Sequence, residues 1–208
     1  MPEKPWILFD IGGVLEVVDD DTWQEQWWER CRVVARLPRD ELDARVAAAD
    51  LPRIDLTVGT EEAFWAGLAG ALGLDDEQRA AIRQDFWDAY CGTGNHELIE
   101  FARSLRPRAG TAILSNSADG AREEEERRFG LASIFDPICY SHELGVAKPD
   151  PQAYLRALQA LGAEPEDVLF VDDHQFAIDG AAAVGIRGVL HRDNARTIAA
   201  IEEFIART

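Results

Sequence analysis

From residue 95 onward, short apolar runs alternate with amphipathic helical stretches, and this alternation constrains the fold more than any other feature of the chain. Helices are expected at 96–105, about 119–129, 151–161, 176–184 and 194–206, with strands at 111–115, 138–140, 168–171 and 188–190 between them. Strands of three to five mostly apolar residues are buried on both faces, which is the mark of a parallel sheet covered by helices on each side. Residues 6–10, Trp-Ile-Leu-Phe-Asp, add one more strand of the same kind. The expected architecture is therefore α/β, a doubly wound parallel sheet assembled from residues 1–15 and 95–208.

The intervening residues, 16–94, have a different character. No convincing strand precedes residue 111, and helical spacing runs through 20–36, 39–50, 60–73 and 76–90. Asp20 or Asp21 can cap the first of these, Thr60-Glu-Glu opens the third and Asp75-Asp-Glu-Gln opens the fourth. Trp23, Trp27, Trp28, Trp65 and Trp87 all fall here and are expected to form the core of a small helical bundle. Because this insert leaves the sheet directly after Asp10, it is expected to sit over that residue as a cap, with Gly92 and Gly94 as hinge positions.

Charge and composition exclude several classes. With 21 basic and 39 acidic residues the net charge is −18, which disfavours nucleic acid and anionic membranes as partners. No run approaches the roughly 20 apolar residues of a membrane span. Met-Pro-Glu-Lys-Pro-Trp has no apolar signal-like segment. Cys31, Cys91 and Cys139 form no metal spacing or disulfide framework, so a reducing cytoplasm is the expected location. The run Glu123–Glu126, followed by Arg127 and Arg128, reads as a solvated helix face.

Residues just after parallel strands gather along one edge of the sheet. Here the four ends of interest carry Asp10, Ser115, Lys148 and the pair Asp172-Asp173. Asp10 is followed by Ile11, Gly12 and Gly13, and the two glycines permit a tight turn and close approach to a small anion. A carboxylate can attack phosphorus or carbon. A serine hydroxyl and a lysine ammonium can hold phosphoryl oxygens. Taken singly, Ser115 also suits a turn cap and Lys148 a solvated loop. Adjacent aspartates closing an apolar strand need a cationic counter-charge, and a hard divalent ion such as Mg2+ supplies it.

In order, the segments Phe-Asp-Ile-Gly-Gly-Val-Leu (9–15), Leu-Ser-Asn (114–116), Gly-Val-Ala-Lys-Pro-Asp-Pro (145–151) and Val-Asp-Asp (171–173) resemble the four motifs of the haloacid dehalogenase superfamily. The position of the insert resembles the subgroup with a helical cap, and its nearest likenesses are sugar-phosphate phosphatases and the phosphatase domain of soluble epoxide hydrolases. The resemblance implies a Rossmann-like core and a Mg2+-dependent phosphomonoesterase acting on a small phosphorylated metabolite. It implies Asp10 as the nucleophile that forms an aspartyl-phosphate. Ser115, Asn116 and Lys148 would bind the phosphoryl group, and Asp10, the Gly12 carbonyl, Asp172 and Asp173 would hold the metal. The chain departs from the pattern at Gly12, where such phosphatases usually carry an acid/base aspartate. Glu16, Asp19, His142, His174 or a metal-bound water are candidate replacements. A 2-haloacid dehalogenase, whose halide leaves unprotonated, and a non-catalytic binding protein are the competing readings. Arg30, Arg45 and Arg53 are candidate contacts for an anionic or polyol group, against an exposed surface role.

Overall fold

The computed structural model describes residues 4–17 and 22–207. The chain begins with β1 (Trp6–Phe9) and β2 (Glu16–Val17), and four helices follow: α1 (Trp23–Ala35), α2 (Arg39–Ala48), α3 (Glu61–Leu72) and α4 (Asp76–Cys91). It continues through β3 (Thr93–Gly94), α5 (His96–Leu105), β4 (Gly110–Ser115), α6 (Ala121–Phe129), β5 (Ile138–Tyr140), α7 (Ser141–Leu144) and α8 (Pro151–Leu161). The last elements are β6 (Val168–Asp172), α9 (Gln175–Ala183), β7 (Arg187–Leu190) and α10 (Asn194–Arg207).

Five strands form one sheet in the order β5-β4-β1-β6-β7, and every pairing in it is parallel. The first strand is thus central, and the chain winds outward from it in one direction through β4 and β5, then in the other through β6 and β7. This is the doubly wound α/β arrangement that the alternation predicts, and its switch point lies at the carboxyl end of β1. Side chains of successive strand residues point to opposite faces. Ile7, Phe9, Ile113, Leu169 and Val171 accordingly pack on one side with residues of α5 and α10, such as Leu98, Ala102 and Ile201. Leu8, Ala112, Leu114, Val168 and Phe170 pack on the other, against Ala153, Tyr154, Ala157, Ala177 and Ala181 of α8 and α9.

Helices α1 to α4 share a core of Trp27, Cys31, Leu42, Trp65, Leu68, Leu72 and Ile82. The expected tryptophan core is only partly realised. Trp27 and Trp65 are buried in it, whereas Trp87 belongs to the cluster beneath the sheet and Trp23 and Trp28 are half-exposed. Asp75 begins α4 with the reciprocal capping box its sequence suggests. At α3 the Thr60 side chain makes no cap bond; Asp119, far along the chain, accepts from Thr60 N at 2.6 Å and Glu61 N at 2.8 Å instead. Asp20 and Asp21 lie outside the described residues.

The insert is also not strand-free. Residues Glu16–Val17 pair antiparallel with Thr93–Gly94, where the chain leaves for α1 and returns from α4. A two-residue strand is too short to show a period-two pattern, which is why the sequence does not reveal it. Asn95 secures the return, donating from Nδ2 to Val14 O at 2.8 Å and from its backbone to Leu15 O at 2.8 Å.

The Glu123–Glu126 expectation needs correction. Glu125 is fully buried, with Tyr140 Oη donating to its Oε2. Only one face of the four-residue acidic run turns to solvent, because a helix rotates about 100° per residue.

Candidate active site

Four elements converge on one end of the sheet. Phe9 closes β1, and Asp10 follows with its backbone N–H bonded to Val171 O at 2.8 Å, so the carboxylate emerges at the switch point. Ser115 ends β4 and Asp172 ends β6. Lys148 arrives from the loop between α7 and α8. Both polar ends of the Asn116 side chain fix that loop: Nδ2 donates to Lys148 O at 2.9 Å and Oδ1 accepts from Lys148 N at 2.8 Å.

This placement puts Lys148 Nζ 2.8 Å from Asp10 Oδ1 and 2.6 Å from Asp172 Oδ2. All three residues are buried. Burial pushes the Asp10 carboxyl above its usual range and Lys148 pulls it back, while Asp172 pushes it further up. For Lys148, burial favours the neutral amine, but Asp10 and Asp172 outweigh it and hold the ammonium above its ordinary value. A lysine between two buried carboxylates is held charged, and removing it would leave uncompensated buried charge, a loss of about 3–5 kcal/mol.

Asp172, Asp173 and His174 can each offer one ligand atom, and these atoms lie within 4.8 Å of one another. Asp172 Oδ1 accepts from His174 N at 2.8 Å, and His174 Nδ1 lies 2.6 Å from Asp173 Oδ1. Gly13, at φ +73°, makes room for this pair: a Cβ there would lie 2.2 Å from Asp173 Oδ2. The carboxylate oxygens around this point form a hard donor set of the kind Mg2+ takes.

Asp10, Gly12, Ser115, Lys148, Asp172 and Asp173 line a single cavity of about 490 Å³, and Asn116 joins them. The structure therefore brings together every residue singled out from the strand ends. Glu16 and His174 line the same cavity, but His142 does not; it is buried, with Nδ1 2.7 Å from Ser117 Oγ. Asp19 lies outside the described residues. Arg30, Arg45 and Arg53 stay at the surface in ion pairs with Asp85, Glu41 and Asp55, and none lines the cavity.

Sequence reasoning missed two contributors. Trp23 and Tyr90 wall the cavity from α1 and α4, though nothing in their spacing distinguishes them from core aromatics. It also missed that Glu16, one of the candidate acids, faces a second buried carboxyl, Glu125. Glu16 and Glu125 are both buried, and Oε1 of each has no hydrogen-bond partner. Burial, joined for Glu16 by the Glu125 charge, holds both carboxyls protonated well above the usual carboxylate range.

A model of the haloacid dehalogenase-like hydrolases matches residues 5–185. The chain is 28% identical to Phosphatase MT3486 of Mycobacterium tuberculosis over 190 residues, covering 88% of this chain and 85% of that protein. It is 31% identical to a phosphorylated carbohydrates phosphatase of Thermotoga maritima over 104 residues, spanning 49% of this chain and 47% of that protein. It is also 35% identical to an (S)-2-haloacid dehalogenase of Xanthobacter autotrophicus over 127 residues, 61% of this chain and 49% of that one. In fold it resembles a HAD family enzyme, bt-2542 of Bacteroides thetaiotaomicron, solved in complex with magnesium and inorganic phosphate. The TM-score is 0.71 and the identity 20%, over 93% of this chain and 98% of that one.

Proposed function

The chain belongs to the haloacid dehalogenase-like hydrolases, and from that premise we propose that it is a Mg2+-dependent phosphomonoesterase acting on a small phosphorylated metabolite through Asp10. The observation that carries this reading is the buried cluster in which one ammonium, Lys148, contacts both Asp10 and Asp172 beside a third aspartate, Asp173. Three carboxylates against one lysine leave room for a divalent cation and for the dianion it would help to neutralise.

In this mechanism an Asp10 oxygen attacks phosphorus. The ester O–P bond breaks, the alkoxide departs with the electron pair and takes a proton from solvent water, and Asp10 is left phosphorylated. Water then attacks the same phosphorus, the Asp10 O–P bond breaks, inorganic phosphate leaves, the water's proton passes to solvent and the carboxylate is restored. Lys148 and Ser115 hold the phosphoryl oxygens, and Asn116 positions Lys148 through its backbone. Asp10, the Gly12 carbonyl, Asp172 and Asp173 would hold Mg2+, which when bound supplies charge neutralisation at the phosphoryl group. The residues at 16–94 act as the cap over residues 1–15 and 95–208, excluding water during the transfer. Among the described residues no helix is long and apolar enough to cross a membrane.

Dehalogenation is the second reading, favoured by Gly12 and by the likeness to the Xanthobacter enzyme. The paired Asp172 and Asp173 favour the phosphatase. Parallel assays separate the two: phosphate released from p-nitrophenyl phosphate with Mg2+ or with EDTA, and chloride released from a 2-chloroacid. Metal-dependent phosphate release without chloride release supports the proposal, and the converse pattern overturns it.

A further inference from the structure

A second cavity, of about 420 Å³, adjoins the first and shares Trp23, Gln24, Tyr90 and Asn116 with it as walls. Its volume is in the range of small-molecule sites. With the phosphoryl group at Asp10 and Lys148, the group esterified to it can extend past these shared walls into the second cavity.

The lining is aromatic. Trp23, Trp27, Trp28, Phe64, Phe86 and Tyr90 come from three helices of the insert. Trp23 meets Phe86 and Tyr90 edge to face, with ring centroids 5.7 and 5.9 Å apart, and Phe86 and Tyr90 stack. The small polar side chains in the lining are already engaged, whereas Gln24, Tyr90 Oη and the Trp23 and Trp28 indole N–H groups stand at its aromatic wall. Asn116 is held on Lys148, Ser117 Oγ on His142, and Ser141 Oγ donates to Asp55 O at 2.8 Å. The Asp55 carboxylate is bridged by Arg53, at 2.8 and 2.6 Å. Gln24 is exposed and stands at the junction. Among the described residues lining the two cavities, Lys148 is the one lysine or arginine, and it already serves Asp10 and Asp172.

A substrate with a second phosphate or a carboxylate would therefore place an unpaired anion against aromatic walls, in a chain of net charge −18. A polyol would bury several hydroxyls against a wall made chiefly of aromatic faces, which offers fewer partners than it has hydroxyls. We propose that this second cavity selects phosphomonoesters of uncharged, apolar ring-bearing alcohols, and discriminates against polyol and doubly anionic substrates. The inference rests on the phosphomonoesterase reading and deepens it.

The test uses matched pairs on the full chain with Mg2+. Acetyl phosphate, too small to fill the second cavity, reports phosphoryl transfer by itself. Phenyl phosphate is then compared with 4-carboxyphenyl phosphate, which adds one charge to the same ring. Cyclohexylmethyl phosphate is compared with a hexose 6-phosphate, both being primary-alcohol esters bearing a six-membered ring. The expected result is a kcat/KM about tenfold or more higher for the uncharged apolar member of each pair. Gln24→Arg, which sets a cation at the exposed junction, should narrow the first gap several-fold. Equal kcat/KM within either pair, with acetyl phosphate hydrolysed, overturns the inference and leaves the phosphatase reading standing. Failure to hydrolyse acetyl phosphate and all four esters overturns both.

Discussion

At position 12 a Cβ would meet no heavy atom within 4 Å, so a side chain there has space above the Asp10 turn. Gly12→Asp should therefore be accommodated, and it restores a carboxyl where phosphatases of this family usually carry one. General acid catalysis is worth about 10²–10⁴-fold. The variant is expected to gain kcat chiefly on alkyl phosphates, with little change on p-nitrophenyl phosphate, whose leaving group needs no proton. A comparison of the two substrates checks this; an equal effect on both would contradict it. The buried pair Glu16 and Glu125 gives a second prediction at this scale. The folded state holds the Glu125 carboxyl protonated above its ordinary value of 4.5, chiefly through burial. Native protein thus binds protons that the unfolded chain has released, and stability falls as pH rises from about that value toward the folded pKa. Glu125→Gln keeps an acceptor for Tyr140 without the titration. It should gain on wild type by about 1–3 kcal/mol between about pH 5 and pH 9 in denaturant unfolding. A pH-independent difference would show that Glu125 does not carry the proton.

Among the connections between the insert and the sheet, two fix the placement of its helices. One is the β2–β3 pair, through which both crossings pass. The other is Asp119, which caps α3 and also donates its backbone N–H to Ile54 O at 2.7 Å. Glu61, in the first turn of α3, accepts from Trp65 Nε1 at 2.9 Å and Trp87 Nε1 at 3.2 Å, so the capped end of the helix is tied to both hydrophobic clusters. Replacing a capping carboxylate costs about 0.5–2 kcal/mol. Asp119→Ala is expected to lower stability by that amount and to raise KM more than it lowers kcat, because the residue touches none of the reacting groups. Steady-state kinetics alongside thermal unfolding tests this, and a fall in kcat at constant KM would contradict it. This cap also shows a limit of reading elements from sequence. The Asp75–Gln78 capping box is local and visible, whereas the α3 cap comes from a residue 59 positions beyond Thr60 and has no local signature.

For the whole molecule, the doubly wound parallel sheet was legible because short buried strands alternating with helices admit few topologies, whereas the order β5-β4-β1-β6-β7 came only from the structure. The site followed from the same rule. Asp10, Ser115 and Asp172 each stand at or just beyond a strand end, so topology predicts their convergence, whereas Lys148, on the loop after α7, is held there by Asn116. What stayed hidden depends on distances between segments. The burial of Glu125 reflects which helix face meets Tyr140. The aromatic second cavity requires α1, α3 and α4 to be placed over the sheet, which no spacing along the chain encodes.

The most direct test of the central claim is the turnover of p-nitrophenyl phosphate by the wild-type chain and by Asp10→Asn, each with Mg2+ and with EDTA. The account predicts turnover that requires the metal and falls by about 10³-fold or more in the variant, since a carboxamide is a poor nucleophile. Turnover that survives in Asp10→Asn, or that ignores removal of the metal, would contradict it.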